Sequence, residues 1–286
     1  MDIRGRRQSS NIEDRRGMRP VRTGVGLSLG GVLFLVVLSL LGINPLPFLG
    51  VATQAPEVQM QESAQPYQES PQEAALREMT AVVLADTEET WNAILPQYGV
   101  QYVEPTLVLF DGLVQSGCGT AESAMGPFYC PLDQKVYIDM SFYNDLSQRF
   151  GAPGDFAQAY VIAHEVGHHV QNLAGTAEKV HAAQQRASKV EANELSVRME
   201  LQADCYAGVW AHHAARSRQL LEAGDVEEGL NAASAIGDDR LQRMSQGRVV
   251  PDAFTHGSSE QRVRWFRKGM ETGSLEACDT FSARQL

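Results

Sequence analysis

Four titratable side chains occur inside an otherwise apolar stretch, and this feature restricts the fold more than any other in the sequence. The stretch AYVIAHEVGHHVQNLAG spans residues 159–175 and holds three histidines and one glutamate. Such groups are costly to bury unless they find partners. The segment GAPGDF (151–156) supplies a helix break with Asp155 as an N-cap, and Gly175 supplies a stop. We therefore predict one helix that ends near Ala174.

The segment HEVGH (164–168) has the form His-Glu-x-x-His. Residues four apart on a helix lie on one face, so His164 and His168 can point at a single metal ion. Glu165 is rotated by about 100° from His164, so it can approach a metal-bound water without being a ligand. His169 is rotated by a similar amount from His168 and is not expected to bind that ion. The alternative is that two core histidines bond to backbone groups, but the full pattern on a capped helix favours a metal.

A catalytic zinc site usually has three protein ligands and one water, so a second helix should supply a ligand. The segment RMELQADCYAGVW (198–210) offers Glu200, with Asp204 one turn later on the same face. An acidic face in water is the alternative, but the neighbouring residues are mostly apolar. Because like charges four apart repel, the pair is best explained by a nearby dication. We expect Glu200 to bind one Zn²⁺ with His164 and His168, and Asp204 to accept the second N–H of a ligand histidine.

An uncharged run follows an arginine-rich N-terminus. The first 22 residues carry seven arginines, and no charged residue then occurs before Glu57. Residues 25–43 form an apolar run of the length that crosses a hydrocarbon core of about 30 Å. Arginines on its N-terminal side orient such a segment with its N-terminus in the cytoplasm. We therefore predict a single-pass anchor at 23–43 in the cytoplasmic (inner) membrane of a bacterium, with a tail (1–22) inside and the rest outside. A cleaved signal peptide is the alternative.

The rest of the chain divides into a linker and one domain. Residues 44–73 contain five of the twelve prolines and many Gln, Ser and Glu residues, which predicts a flexible tether. Residues 74–286 are enough for one domain. It starts with an amphipathic helix (74–95), and two short segments, 106–111 and 135–142, have strand character. Further helical segments follow over 177–217 (two helices), 225–246 and 258–270. Few strands and many helices predict an α+β fold.

Charge and cysteine usage restrict the partners and the compartment. Beyond residue 22 the chain has 17 basic and 32 acidic residues, so it lacks the basic face typical of nucleic-acid binding. Four cysteines outside the membrane suggest two disulfides, for which three connectivities exist. Cys118 and Cys130 bracket a short Gly-rich loop, so we expect Cys118–Cys130 and Cys205–Cys278. None lies in a CxxC pair, which argues against a thiolate metal site.

Four segments together resemble a known family. HEVGHHVQ followed by ELQADCYAG, with SGCGTAESAMGPFYCP before them and THGSSEQRVRWF (255–266) after them, is similar to the bacterial neutral zinc metallopeptidase family of membrane-anchored enzymes. The resemblance covers residues 76 to 284, and the HExxH-plus-ExxxD half is shared more distantly with thermolysin-like and integral-membrane zinc peptidases. It implies a mainly helical, zincin-like domain with a small sheet. The implied site residues are the zinc ligands His164, His168 and Glu200, the catalytic Glu165 and the supporting Asp204.

These residues predict a zinc endopeptidase acting on a peptide or protein substrate. Zinc lowers the pKa of its water to about 7, and Glu165 would take the proton and hand it to the leaving amine. His256, with Arg262 behind it, is the candidate second donor to the oxyanion, because a His followed by an Arg also follows the zinc helices of the distant membrane peptidases. Alternatively, His256 caps the helix that starts near Ser258. The substrate is expected to lie extended along the 135–142 strand.

Two other functions stay open. One is a catalytically inactive, zinc-stabilised module that recruits envelope proteins, and the other is a zinc amidase that acts on cell-wall peptides. Glu165 favours an enzyme, because a structural zinc site usually has four protein ligands and no use for a carboxylate beside bound water. The sequence does not separate amidase from peptidase activity.

Overall fold

The protein is described by a computed structural model that covers residues 1–23, 57–61 and 67–286. Of the predicted anchor at 23–43, every residue except Thr23 lies outside this part of the chain. Within the described ranges, no helix has the length and apolar character needed to cross a membrane.

The fold is mixed α and β and mainly helical, as the sequence predicts. The described residues form eight strands, which are β1 (Ile12–Asp14), β2 (Arg19–Thr23), β3 (Glu57–Gln61), β4 (Thr106–Phe110), β5 (Leu113–Ser116), β6 (Gly119–Glu122), β7 (Phe128–Cys130) and β8 (Lys135–Asp139). They also form eight α-helices, which are α1 (Pro71–Ile94), α2 (Ser141–Gln148), α3 (Asp155–Leu173), α4 (Thr176–Gln184), α5 (Lys189–Arg216), α6 (Asp225–Ala235), α7 (Asp238–Gln246) and α8 (Ser259–Thr272). The two predicted strands and the predicted helices of the domain are therefore confirmed, except that the strand predicted at 135–142 ends at Asp139 and residues 141–142 belong to α2.

A four-stranded sheet with the order β1-β4-β8-β7 lies beside the helices. β1, β4 and β8 run parallel, and β7 pairs with β8 in the antiparallel sense. β8 thus has neighbours on both sides, so the prediction that substrate pairs along residues 135–142 is wrong. Strand order depends on contacts between distant parts of the chain, and a local sequence pattern does not contain it. The two edge strands of this sheet are β1 and β7.

Residues 1–18 are part of the domain. β1 pairs with β4 from Ile12↔Leu107 to Asp14↔Leu109, and the Lys135 ammonium donates to the Glu13 carboxylate at 2.6 Å. Ile3 and Ile12 pack against the main core. The predicted separation of residues 1–22 from the domain is therefore wrong. A three-residue strand inside a charged segment has too few apolar positions to be recognised by its pattern.

The described part of the predicted linker 44–73 also contains regular secondary structure. β3 pairs antiparallel with β2, from Arg19↔Gln61 to Thr23↔Glu57. α1 begins at Pro71, where Ser70 and Glu73 form a reciprocal capping box. Such a box satisfies backbone N–H groups that the first helical turn leaves free. The flexible tether was therefore predicted too broadly.

The four cysteines pair as predicted. Cys118–Cys130 has an S–S distance of 2.00 Å and joins the turn between β5 and β6 to the end of β7. Cys205–Cys278 has an S–S distance of 1.99 Å and joins α5 to the segment after α8. The two bonds fix an end of the edge strand and the position of α5, and both elements contribute to the site described below.

Glycines allow the helices around α5 to approach closely. A Cβ on Gly269 of α8 would lie 2.0 Å from the Cys205 carbonyl oxygen, and one on Gly208 would lie 2.1 Å from the Phe266 carbonyl oxygen. Both distances are far shorter than a van der Waals contact. The two helices α5 and α8 can therefore cross this closely only because neither glycine has a side chain. The crossing places α8 directly beside the face of α5 that carries Asp204.

Candidate metal centre and groove

Two helices bring three candidate ligand side chains together. His164 and His168 lie one turn apart on α3, and Glu200 reaches them from α5. The Nε2 atom of His164 lies 3.2 Å from one carboxylate oxygen of Glu200, and the Nε2 atom of His168 lies 3.4 Å from the other. One ligand atom from each residue lies within 4.8 Å of the others. The structure thus assembles the three residues that the sequence spacing selected.

The chemistry of these donors fits a divalent cation. The Nδ1–H of His164 donates to Asp204 at 2.8 Å, and the Nδ1–H of His168 donates to the Gln171 side-chain oxygen at 2.9 Å. In each neutral ring the Nε2 lone pair then faces the carboxylate of Glu200. Electron-pair donors that face each other in a buried site need a cation or added protons between them. Two imidazoles and one carboxylate are a zinc donor set that leaves one coordination position open.

The pKa values of His164, His168 and Glu200 show the same need for positive charge at the site. Burial by itself would lower the pKa of His164, but the attraction of Asp204 raises it to about 9. Burial also acts to lower the pKa of His168, and Glu200 outweighs it and raises that pKa. Burial would raise the pKa of Glu200, yet His168 and His164 hold it well below its usual range. A metal must displace these protons, so its affinity falls as the pH falls.

Asp204 orients His164 from a fully buried position. Arg262 of α8 donates to both carboxylate oxygens of Asp204 at 2.8 Å, and the Tyr160 hydroxyl also donates to it. Burial acts to raise the pKa of Asp204, but Arg262 and His164 lower it to about 2. The carboxylate therefore stays ionised and holds the imidazole in one tautomer. Arg262, which the sequence places behind His256, bonds to Asp204 instead.

Gln171 orients the second histidine and was not singled out from the sequence. Its amide nitrogen donates to the Met199 carbonyl oxygen at 2.7 Å, which leaves its oxygen facing His168. Gln171 follows His168 by three residues, so it lies on the same helix face and bonds locally. This spacing was a usable signal, but a glutamine in a helix has too many ordinary roles to be selected by it.

A groove of about 650 Å³ contains the site. The buried Glu165 lines it beside His164 and His168, as expected for a base that approaches water next to a metal. Apolar side chains also line the groove, among them Met125, Phe142, Phe150, Val161, Ile236 and Leu241. The chain between β6 and β8, including Phe128 and Tyr129 of β7, also contributes to the lining.

His256 lines the same groove with a half-exposed side chain. Its Nδ1–H donates to Asp238 at 3.2 Å, and the other oxygen of Asp238 accepts the backbone N–H groups of Thr255, His256 and Gly257. The Asp238 hydrogen bond raises the pKa of His256. The alternative role as a cap is wrong, because Ser258 caps α8 with its own hydroxyl. Asp238 itself was missed, since an acidic residue at a helix start reads as an ordinary cap.

An HExxH helix with a glutamate from a second helix defines the class of zinc-metallopeptidase-like proteins. The sequence matches the family described as "Putative neutral zinc metallopeptidase" over residues 1–281, and the chain belongs to that family. The match begins at residue 1, in agreement with the packing of the N-terminal residues on the domain.

The chain also has close relatives. It is 51% identical over 287 residues to the Uncharacterized protein YpfJ of Escherichia coli (strain K12), which covers 98% of this chain and 99% of that protein. It is 46% identical over 206 residues to the Uncharacterized protein Rv2575 of Mycobacterium tuberculosis (strain H37Rv), which covers 68% of this chain and 67% of that protein. No solved structure matches the chain.

The crossing of α3 and α5 can be tested at Gly167, one of the two variable positions of HEVGH. A Cβ there would lie 2.9 Å from the Ala203 carbonyl oxygen. We expect Gly167→Ala to push the helices apart and to cost about 1–3 kcal/mol from overpacking, despite the better helix propensity of alanine. Because Glu200 moves with α5, zinc affinity should fall at least several-fold. A chelator-competition titration with a parallel thermal melt measures both effects, and wild-type zinc affinity would contradict the account.

Proposed function

We propose that the protein is a zinc-dependent endopeptidase with Glu165 as its general base. Both Nε2 atoms converge with the Glu200 carboxylate in a groove that Glu165 also lines, and this is the observation that carries the proposal. Bound zinc would polarise the peptide carbonyl and acidify the attacking water. Membership of a zinc metallopeptidase family supports the same reaction class.

Four residues of the protein have separate roles in the proposed reaction. Glu165 takes the proton of the attacking water and passes it to the leaving amine. His256 lines the groove, and because its Nδ1 is bonded to Asp238, Nε2 is the atom that would donate a hydrogen bond to the oxygen that develops negative charge. Asp204 and Gln171 hold the two histidine ligands in their binding tautomers. Each role is assigned to a residue that either lines the groove or bonds to a residue that does.

The base can be tested by Glu165→Gln, which removes the charge and keeps the shape. We expect kcat/KM for a peptide library or casein to fall by at least about 10²-fold, with the zinc content unchanged. Glu178→Gln, on the exposed face of α4, is the matched control and should keep full activity. Undiminished cleavage by Glu165→Gln would reject the proposal. A zinc-loaded wild type that cleaves no peptide would favour a binding module, and cleavage of cell-wall peptide amides alone would favour an amidase.

The pH profile tests the roles of His256 and Asp238. Because Nδ1–H donates to Asp238, Nε2 carries a proton only when the imidazole is charged. The hydrogen bond to Asp238 raises the pKa of His256, so the protonated donor form persists to higher pH and is lost above that pKa. Asp238→Asn should therefore move the alkaline limb of kcat/KM to lower pH. Asp239→Asn is the control, because Asp239 accepts the backbone N–H of Ser259 and makes no bond to His256 among the described contacts. An unmoved limb would remove Asp238 from this role.

We also propose that the enzyme works outside the cytoplasmic membrane and that the apolar run 25–43 attaches it to that membrane without the single crossing that its length predicts. Two disulfides support an oxidising compartment. The pairing of β1 with β4, and of Thr23 with Glu57 across β2 and β3, supports a topology in which the N-terminal residues lie on the same side as the domain. This differs from the inside N-terminus that the arginines predict. A lipid bilayer between β1 and β4 is incompatible with their ladder.

Cysteine labelling distinguishes the two topologies, since all four native cysteines are in disulfides. Exposed Ser10 and exposed Glu178 are each replaced by cysteine in the full chain, and cells with a permeabilised outer membrane are treated with a membrane-impermeant maleimide. We expect both variants to be labelled. Labelling of Glu178→Cys alone would restore the inside N-terminus, and labelling of neither before lysis would place the domain in the cytoplasm.

A further inference from the structure

A group of polar side chains joins the edge strand β7 to the metal-binding helix, and the proposed mechanism does not use it. The hydroxyl of Tyr129, the middle residue of β7, lies 2.9 Å from Nδ1 of His169 and 3.0 Å from the side-chain nitrogen of Asn172. The other ring nitrogen of His169 lies 2.6 Å from the Val103 carbonyl oxygen. His169 is fully buried. It is therefore committed to two partners and turned away from the metal ligands.

Donors and acceptors in this group are fixed by the carbonyl. Since the Val103 oxygen can only accept, Nε2 of His169 carries the proton and Nδ1 is an acceptor. Nδ1 accepts the hydroxyl proton of Tyr129, and the hydroxyl oxygen accepts from Asn172. Tyr129 thus donates to one residue and accepts from the other, so a single arrangement of the three side chains is favoured. The group holds one point of β7 at one point of α3.

β7 is well placed to bind a substrate backbone. One edge of β7 pairs with β8, and no strand pairs with its other edge among the residues that the structure describes. Phe128 and Tyr129 line the groove that holds the ligand histidines. An extended peptide that added to this edge would run along the groove past the metal centre. The next residue, Cys130, is fixed independently by its disulfide to Cys118.

We infer that Tyr129, His169 and Asn172 are positioning residues that keep the edge of β7 at the distance from the metal centre that an extended peptide needs. The inference rests on the proposed peptidase function and specifies its substrate class as extended, several-residue segments of unfolded or flexible protein. Short amide substrates that do not reach β7 would gain nothing from this group. The third histidine of HEVGHH thereby acts on the substrate side of the site without binding the metal.

The test compares two metal-directed probes on the zinc-loaded full chain. Acetohydroxamic acid needs only the metal centre, whereas a hydroxamate of a four-residue peptide also needs the strand edge. Tyr129→Phe removes one hydroxyl and keeps the ring. We expect it to weaken the peptidyl probe about tenfold, as for one lost hydrogen bond that positions a strand. Affinity for acetohydroxamic acid and the zinc content should not change, and with a long peptide KM should rise more than kcat falls.

Matched variants separate positioning from general damage. Tyr137→Phe on the adjacent strand β8 removes a hydroxyl that donates to Asp133 at 2.6 Å, and it should leave both probes unaffected. Asn172→Ala removes the second partner of Tyr129 and should act in the same direction as Tyr129→Phe.

Each outcome has a distinct meaning. Unchanged peptidyl affinity in Tyr129→Phe, or equal weakening of both probes with loss of zinc, would overturn the inference. A wild type that binds acetohydroxamic acid but gains no affinity from the peptide portion would overturn the role of β7. Failure of zinc-loaded wild type to bind either probe would instead count against the proposed function itself.

Discussion

The close crossing of α3 and α5 is the constraint on which the rest of the structure depends. One carboxylate of α5 can meet two imidazoles of α3 only because Gly167 presents no side chain to the Ala203 backbone. The same crossing buries Asp204, whose charge then requires Arg262 from α8. The Cys205–Cys278 disulfide and the glycine contact between α5 and α8 hold the third helix in place. The candidate metal centre therefore lies where these three helices are packed together.

The sheet complements this helical centre by placing one of its two edge strands, β7, beside the groove. β1 is the edge strand on the far side, next to β4, and no strand of the described residues pairs with the outer edge of β7. Unpaired strand edges are a liability that proteins usually cover or shorten. An open edge of only three residues, tied to α3 through Tyr129 and to the β5–β6 turn through Cys130, is consistent with a surface kept for a substrate. The N-terminal residues therefore support the site from the opposite side of the sheet.

Features that depend on local spacing were predictable from the sequence. His164 and His168 share a face because they are four apart on one helix, and Glu200 was identifiable as an acidic residue beside a second one in an apolar neighbourhood. The disulfide pairing followed from one short loop. Features set by distant contacts were not predictable: β1 carries no apolar period, and the interior place of β8 depends on its neighbours. The roles of Asp238 and His169 depend on which distant segments pack against them, and the residues next to them in the sequence do not indicate those roles.

X-ray absorption at the zinc edge, combined with anomalous diffraction from crystals of the full chain, tests the central claim most directly. We predict one zinc ion per chain, with two imidazole nitrogens at about 2.0–2.1 Å, carboxylate oxygen and no sulfur in its coordination shell. The anomalous peak should lie between His164, His168 and Glu200. A zinc ion held at another acidic group, such as the one formed by Asp155, Asp225 and Glu228, with none between the two helices, would contradict the account.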